Sequence, residues 1–453
     1  MRQFFFLIAM LTLTCSSVSG GALKVATFDV DASPLVGSLL AYDLTIGTQS
    51  PLSCRGVVLI GAEKPIVLCA IDWIGIANEA HQHFREVLAK AAGTTASRVA
   101  VHALHQHDAP RCDFSTDTLL AKYRINHHFF NVGFERTVMQ KTAQALKKAV
   151  ANAKTVTHLG LGEGKIEKVA SNRRILGEDG KVKHVRWTAT KDAKVRAMPV
   201  GTIDPMVKMV SLWDGEKRPL VVLTWYATHP QSYYRTGMAN PDFPGMARNA
   251  RQKKTGVVHV HFNGAGGNIG AGKWNDGSKK NRQILADRVA EGMKEAWEKT
   301  KKVPITAKEV GWKSVKVNLP AAPHLDEKKL LQILEDNKAK VQARLAAGCD
   351  LTWLRRCKVG TATEIGCLSI GKARVLHMPG ELFVEYQLAA QKMRPDLFVA
   401  MAAYGDYAPG YIGTEIAYGQ GGYETSQRAS RVAPGVEKIL MDAMKKLLKD
   451  DRK

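Results

Sequence analysis

Two histidines one residue apart, His105 and His107 in RVAVHALHQHDAP, are the side chains best suited to chemistry. The run before them alternates apolar and small residues like a strand, and Asp108, Ala109 and Pro110 end it. Alternate strand residues share a face, so the spacing predicts that both imidazoles emerge side by side at a strand end. Open sheets place ligands there, and neutral imidazole is the commonest protein ligand for zinc. Other strand-like runs also leave into reactive residues: PLVVLTWYATHPQSYY at His229, RVLHMPGELF at Glu381 and LFVAMAAYGDYAPGYIGT at Tyr411. Two imidazoles and a carboxylate form a standard catalytic ligand set that leaves a position for water. Zn2+ lowers the pKa of such a water toward about 7 and polarises a scissile carbonyl. Tyr411 could add a phenolate, because a nearby dication eases loss of the phenol proton. His107, beside a ligand, is placed to donate a proton to a leaving group.

Each residue also has a bland reading. His229-Pro230 could only shape a turn, Glu381 could be a first-turn carboxylate favoured by the helix dipole, and Tyr411 and Tyr423 could be packing aromatics. Their coincidence at strand ends is what argues for a site. The nitrogen and oxygen set also accommodates manganese or iron. The turn NGAGGNIGAGKWNDG lacks the GxxxxGK[ST] spacing of a phosphate loop, since no Ser or Thr follows Lys273. Its glycines are expected to let backbone approach substrate or metal closely.

Something must hold these residues together. Strand-like runs are GVVLIGA, PIVLCAIDW, VAVHALH, PLVVLTWYA, VVHVHFN, ARVLHM and LFVAMAAYG. Helical periodicity occupies about 77–92, 130–153, 243–253, 280–300, 326–346, 381–393 and 432–449, the sixth starting with Glu381. The alternation predicts an α/β fold, central mixed β-sheets with helices packed outside and the site at strand carboxyl ends. The polar, turn-rich stretch 165–216 reads as a long surface excursion.

The chain has 453 residues, 45% hydrophobic and 24% charged, an ordinary soluble composition that argues against wholesale disorder. Met1-Arg2, the apolar FFFLIAMLTLT and a small-residue exit to Gly21 read as a signal peptide over 1–20, with Val18 and Gly20 preceding the cut. Export to the periplasm or beyond the cell is expected, with lipid anchoring through Cys15 as the second reading. The remainder, 21–453, reads as one domain without a membrane span. Cys54, Cys69, Cys112, Cys349, Cys357 and Cys367 permit up to three disulfides, and Cys349 and Cys357 are close enough in sequence to staple a local loop. The formal charge of +23 is spread along the chain without aromatic-interleaved basic motifs. That argues against nucleic acid and leaves peripheral membrane contact open.

Several ordered motifs together resemble the catalytic N-terminal domain of the neutral/alkaline, non-lysosomal ceramidase family. HALHQHDAP stands where that family has an ATHTHSGP-like segment, and WYATHPQS where it has a strand ending in a second histidine. MPGELF corresponds to its PGEF-type turn, GYIGTEIAYGQGGYE to its tyrosine segment and SNRR to its asparagine–arginine pair. The resemblance implies zinc held by His105, His229, Glu381 and Tyr411. It implies His107, Arg173 and Tyr423 as groups that meet the reacting amide or its tetrahedral intermediate. The implied reaction is hydrolysis of an N-acylated sphingoid base to a fatty acid and an amine. Two departures stand out: Gly270 occupies the place of a family serine tied to activity, and an immunoglobulin-like C-terminal module is not expected. The rival readings are the same site acting on another substrate (an N-acyl amino sugar, an N-acyl amino acid or an ester), a metal-containing binding protein without turnover, and a basic protein adhering to anionic polymers.

Overall fold

The computed structural model describes residues 22–61 and 63–449, so the expected signal peptide and Cys15 lie outside the described residues. The apolar runs build three principal sheets. The first orders its strands Val99–Ala103, Ile66–Ile71, Ser53–Ile60, Lys24–Asp31 and Lys154–Thr155. The second runs Val258–Asn263, Arg218–Tyr226, Met206–Asp214, His158–Lys165 and Lys301–Pro304. The third runs Val310–Val317, Thr363–Ile370, Ala373–His377 and Phe398–Ala402.

Each of these three sheets is antiparallel except at one edge. There Val99–Ala103 lies parallel to Ile66–Ile71, Val258–Asn263 to Arg218–Tyr226, and Phe398–Ala402 to Ala373–His377. A parallel pair needs a long crossover, and the helices Asn78–Ala92, Asp242–Thr255 and Val384–Met393 supply one each. The fold is therefore α/β, with three strand–helix–strand units whose parallel edges meet. Leu68, Leu223, Phe262, Val375 and Ala400, drawn from all three sheets, pack in one core cluster. Asn263 ties the edges at their carboxyl ends. Its side-chain NH2 donates to Leu104 O at 2.6 Å, and its carbonyl accepts from Ala403 N at 2.9 Å.

Every apolar run named above contains an observed strand, and four expectations need correction. The stretch 165–216 is not all excursion, because Met206–Asp214 is a central strand paired on both sides. The helix expected over 326–346 is two helices, Glu327–Glu335 and Val341–Lys358. Asp336 breaks it by turning its carboxylate onto Lys338 N at 2.8 Å, the local bond through which aspartate competes with helix. Cys349 and Cys357 both lie on the second of these helices, about 12 Å apart along its axis, so they staple no loop. The six cysteines are free, although Cys54 and Cys69 place their Sγ atoms 3.5 Å apart. Glu381 does not begin a helix: it sits in the short strand Glu381–Leu382, paired parallel with Tyr411–Ile412. Among the described residues no helix is long and apolar enough to cross a membrane.

Candidate metal centre

His105 lies two residues beyond its strand, in a left-handed turn with φ 67°. Strand alternation is thus not what brings His105 and His107 together; the turn does, setting their rings edge to face with centroids 5.2 Å apart. Trp73 O accepts from His105 N at 2.9 Å and fixes that turn against the neighbouring strand exit. His229 follows Arg218–Tyr226, and Glu381 follows Ala373–His377. Glu381 and Tyr411 are direct register partners, so backbone pairing alone makes the carboxylate and the phenol neighbours. Four side chains from three sheets consequently share one buried volume.

The hydrogen bonds around them orient the rings. His105 Nδ1 donates to Ile74 O at 2.6 Å, which leaves an Nε2 lone pair facing Glu381 Oε2 at 3.2 Å. A lone pair aimed at a carboxylate oxygen in a buried site calls for a cation between them. His229 Nδ1 lies 3.8 Å from the same oxygen. His105 Nε2, His229 Nδ1 and Glu381 Oε2 are all buried without a hydrogen-bond partner. Three orphaned donor atoms converging on one point are what a metal ion would satisfy, and imidazole with carboxylate suits zinc. The ring nitrogens of His105, His107 and His229 also lie within 4.8 Å of one another.

The next shell is equally ordered. Tyr407 Oη donates to Glu381 Oε1 at 2.7 Å, which reserves Oε2 for the cluster. Burial raises the Glu381 carboxyl, but the neighbouring His105 ring and the hydrogen bonds from Tyr407 and Tyr411 carry it below the usual carboxylate range. Burial also drives His107 and His229 well below the ordinary imidazole range, so both are neutral. Gln231 Nε2 reaches His107 Nδ1 at 3.3 Å, its amide oriented by Thr188 Oγ1, which donates to Gln231 Oε1 at 2.6 Å. Tyr42 Oη lies 3.1 Å from the same Nδ1. His107 Nε2 faces His229 Nε2 at 3.0 Å, so one proton is shared between the two nitrogens, and with it on His229 Nε2 the His229 Nδ1 lone pair is free for the centre.

Arg173 is buried beside this group. Its Nη1 donates to Tyr411 Oη at 3.2 Å, and its Nε lies 3.1 Å from the fully buried Glu424. Tyr423 packs edge to face on Tyr411, with centroids 5.7 Å apart, and under the Arg173 guanidinium. Burial raises the Tyr411 phenol well above its ordinary value, with Glu381 adding to the rise and Arg173 opposing it. A cavity of about 630 Å³ opens on Glu381, Tyr407, Tyr411 and Tyr423.

All seven residues singled out in the sequence, His105, His107, Arg173, His229, Glu381, Tyr411 and Tyr423, meet in this one place. The glycine-rich turn serves it differently from expectation. A Cβ on Gly266 would fall 2.2 Å from Thr228 O, and one on Gly267 2.2 Å from Glu381 O. These glycines admit the backbone that carries His229 and Glu381. Gly270 is roomier: a Cβ there would meet Arg173 Cγ at 3.4 Å. Sequence reading missed Tyr42, Tyr407, Gln231 and Glu424. Tyr407 stands in the same tyrosine-rich loop as Tyr411, a usable signal, whereas Tyr42 reaches His107 from a segment with no motif.

Comparison with known proteins complements the geometry. No known family's sequence profile matches the chain, and no curated protein matches it in sequence. Solved structures do. A ceramidase complexed with C2 matches with TM-score 0.68 and 15% identity, over 94% of this chain and 74% of that one. The crystal structure of neutral ceramidase from Pseudomonas aeruginosa matches with TM-score 0.68 and 16% identity, over the same shares of 94% and 74%. The chain has a neutral ceramidase-like fold.

Proposed function

We propose that this chain is an exported, zinc-dependent hydrolase of N-acyl amides, with Zn2+ held by His105, His229, Glu381 and Tyr411. The observation that carries the reading is the convergence of three buried, unpartnered atoms (His105 Nε2, His229 Nδ1 and Glu381 Oε2) at the joint of three parallel sheet edges. When bound there, zinc supplies Lewis acidity toward an amide carbonyl and lowers the pKa of a coordinated water. The protein's own groups do the rest. His107 stands at the cluster with Nε2 3.0 Å from His229 Nε2, where it can pass a proton to the nitrogen of the leaving amine. Arg173, locked by Glu424, and Tyr423 present donors where negative charge develops on the former carbonyl oxygen. Tyr407 holds Glu381 in the rotamer that turns Oε2 to the centre. Gly270 supplies no hydroxyl, so the reading assigns polarisation to Arg173 and Tyr423. An acylated sphingoid base fits the likeness to ceramidases in fold, and other N-acyl amides fit the same chemistry.

Metal analysis joined to an amide-hydrolysis assay tests the reading. Purified full chain is expected to retain one equivalent of zinc and to release fatty acid from N-acyl amides. His229→Ala and Glu381→Ala should lose the ion, with hydrolysis falling by about a thousandfold. Full zinc retention in both variants, or hydrolysis that survives them, would overturn it.

A further inference from the structure

The cavity above the centre is lined unevenly. Leu39, Leu44, Phe129, Phe130 and Leu345 supply apolar lining, and Arg111, Arg235 and Arg428 stand among the remaining lining. The arginines differ in how they are paired. Arg235 lies 4.0 Å from Asp43 and over the rings of Tyr42 and Tyr234. Arg431, also on the lining, is engaged by Asp350 at 2.7 Å. Arg111 and Arg428 are not so engaged: among the described residues neither has a carboxylate within ion-pair distance. Arg111 is half-buried, and its hydrogen bond is a long one of 3.4 Å to Ala41 O. It comes four residues after His107, at the start of the short strand Arg111–Cys112, which ties its position to the proton carrier. The acidic groups on the lining are Asp43, Asp113 and Glu381. Asp43 faces Arg235, Asp113 is held by Asn78 and Thr116, and Glu381 belongs to the centre. The wall thus keeps cationic capacity that the chain itself leaves unused.

We infer that the amide substrate carries an anionic group, a carboxylate or a phosphate, which Arg111 binds with Arg428 while the acyl chain lies on the apolar lining. Guanidinium is suited to both oxyanions, because its planar fork matches their geometry and its charge strengthens each hydrogen bond. A neutral sphingoid headgroup would leave both arginines without a partner. The inference rests on the amide-hydrolase reading and narrows it to anionic N-acyl compounds.

Matched substrates separate the cases: N-lauroylglycine against N-lauroylglycinamide, and N-lauroylphosphoethanolamine against N-lauroylethanolamine. Both kcat/KM and equilibrium binding would be measured on the zinc-loaded full chain. One anionic member, at least, is expected to exceed its neutral partner by about tenfold, expressed in KM and weakened by salt. Which pair shows the preference identifies carboxylate or phosphate. In Arg111→Gln the preference should collapse to about threefold or less, and Arg111→Lys should restore part of it. Equal use of neutral and anionic partners, or a preference that survives Arg111→Gln combined with Arg428→Gln, would overturn the inference and leave the amide-hydrolase reading intact. Should no substrate be hydrolysed, the binding preference still decides: its presence supports the anion site while the hydrolase reading falls, and its absence sinks both.

Discussion

Tyr404 lies flat against His105, with ring centroids 4.5 Å apart and planes 19° from parallel, and both residues hold left-handed backbone at φ 60° and 67°. The two turns are joined, since Tyr404 O accepts from Ala103 N at 2.9 Å. Left-handed conformation costs a residue other than glycine about 1–3 kcal/mol and persists only where surroundings enforce it. Two such residues, stacked at the ends of adjoining sheets, clamp the imidazole that faces Glu381.

The clamp should depend on the ring and not on the hydroxyl. Tyr404 Oη is buried without a hydrogen-bond partner, so Tyr404→Phe removes an unsatisfied group. It is expected to leave urea stability unchanged or raise it by about 1 kcal/mol. Tyr404→Ala deletes the stack and opens a cavity at a loss of about 3–5 kcal/mol. Equal destabilisation by both changes would contradict the clamp.

Gly267 and Gly270 should behave oppositely although three residues apart. Alanine at 267 would drive a methyl into Glu381 O, so Gly267→Ala is expected to lower metal retention and stability together. Gly270→Ser meets ordinary contacts near Arg173 and should cost about 1 kcal/mol or less. By adding a donor beside Arg173, it is expected to raise amide hydrolysis. Stability curves and turnover of the two variants check this directly.

Asp72 and Arg248 form a bidentate pair, at 2.7 and 2.9 Å, that no water reaches. Asp72 O also accepts from the Gln106 side chain between the two site histidines, so the pair underpins the loop. Asp72→Ala should cost about 3–5 kcal/mol by stranding the guanidinium, and Asp72→Leu with Arg248→Met should recover much of it. Burial raises the Asp72 carboxyl, but Arg248, Arg55 and Ser53 outweigh it and hold it below its ordinary value. Its stabilising contribution is therefore present above the unfolded aspartate pKa and lost as pH falls through the folded one. Thermal melts from neutral to acid pH should show that loss, reduced in the double variant.

Glu135 gives the opposite sign. Burial lifts its carboxyl from 4.5 to about 8, against hydrogen bonds from Cys112 and from Asn131 N, the latter at 2.9 Å. The native state then keeps a proton that the unfolded chain has released. The contribution is fully present below 4.5 and is lost as pH rises through about 8. Between those values stability should fall by up to about 1.4 kcal/mol per pH unit, and Glu135→Gln should remove that slope. Urea unfolding at several pH values would reveal it; an unchanged slope in Glu135→Gln would exclude Glu135 as its source.

The apolar runs were legible because strands buried on both faces leave a continuous signature, and the site followed because its residues sit just beyond those runs. Local backbone geometry was not. The strand ends at Ala103, so His105 and His107 meet through a left-handed turn that periodicity cannot encode. Glu381 reads as a helix start because Pro379-Gly380 and a helical run flank it, yet pairing with Tyr411 thirty residues later makes it a strand. Met206–Asp214 was hidden because Lys208 and Ser211 interrupt its apolar run at a spacing that is not strand-like, and its neighbours on both sides supply the pairing. Tyr42 and Glu424 act through tertiary contact, and no spacing in the sequence announces them.

Because His105, His229 and Glu381 hang from three different sheets, their shared vertex is a property of the whole architecture and of no single segment. An ion seated there would act as a keystone, its binding energy counted directly against unfolding. Partial unravelling of any one sheet would disperse the donors altogether. Damaged molecules should therefore fall silent instead of working slowly.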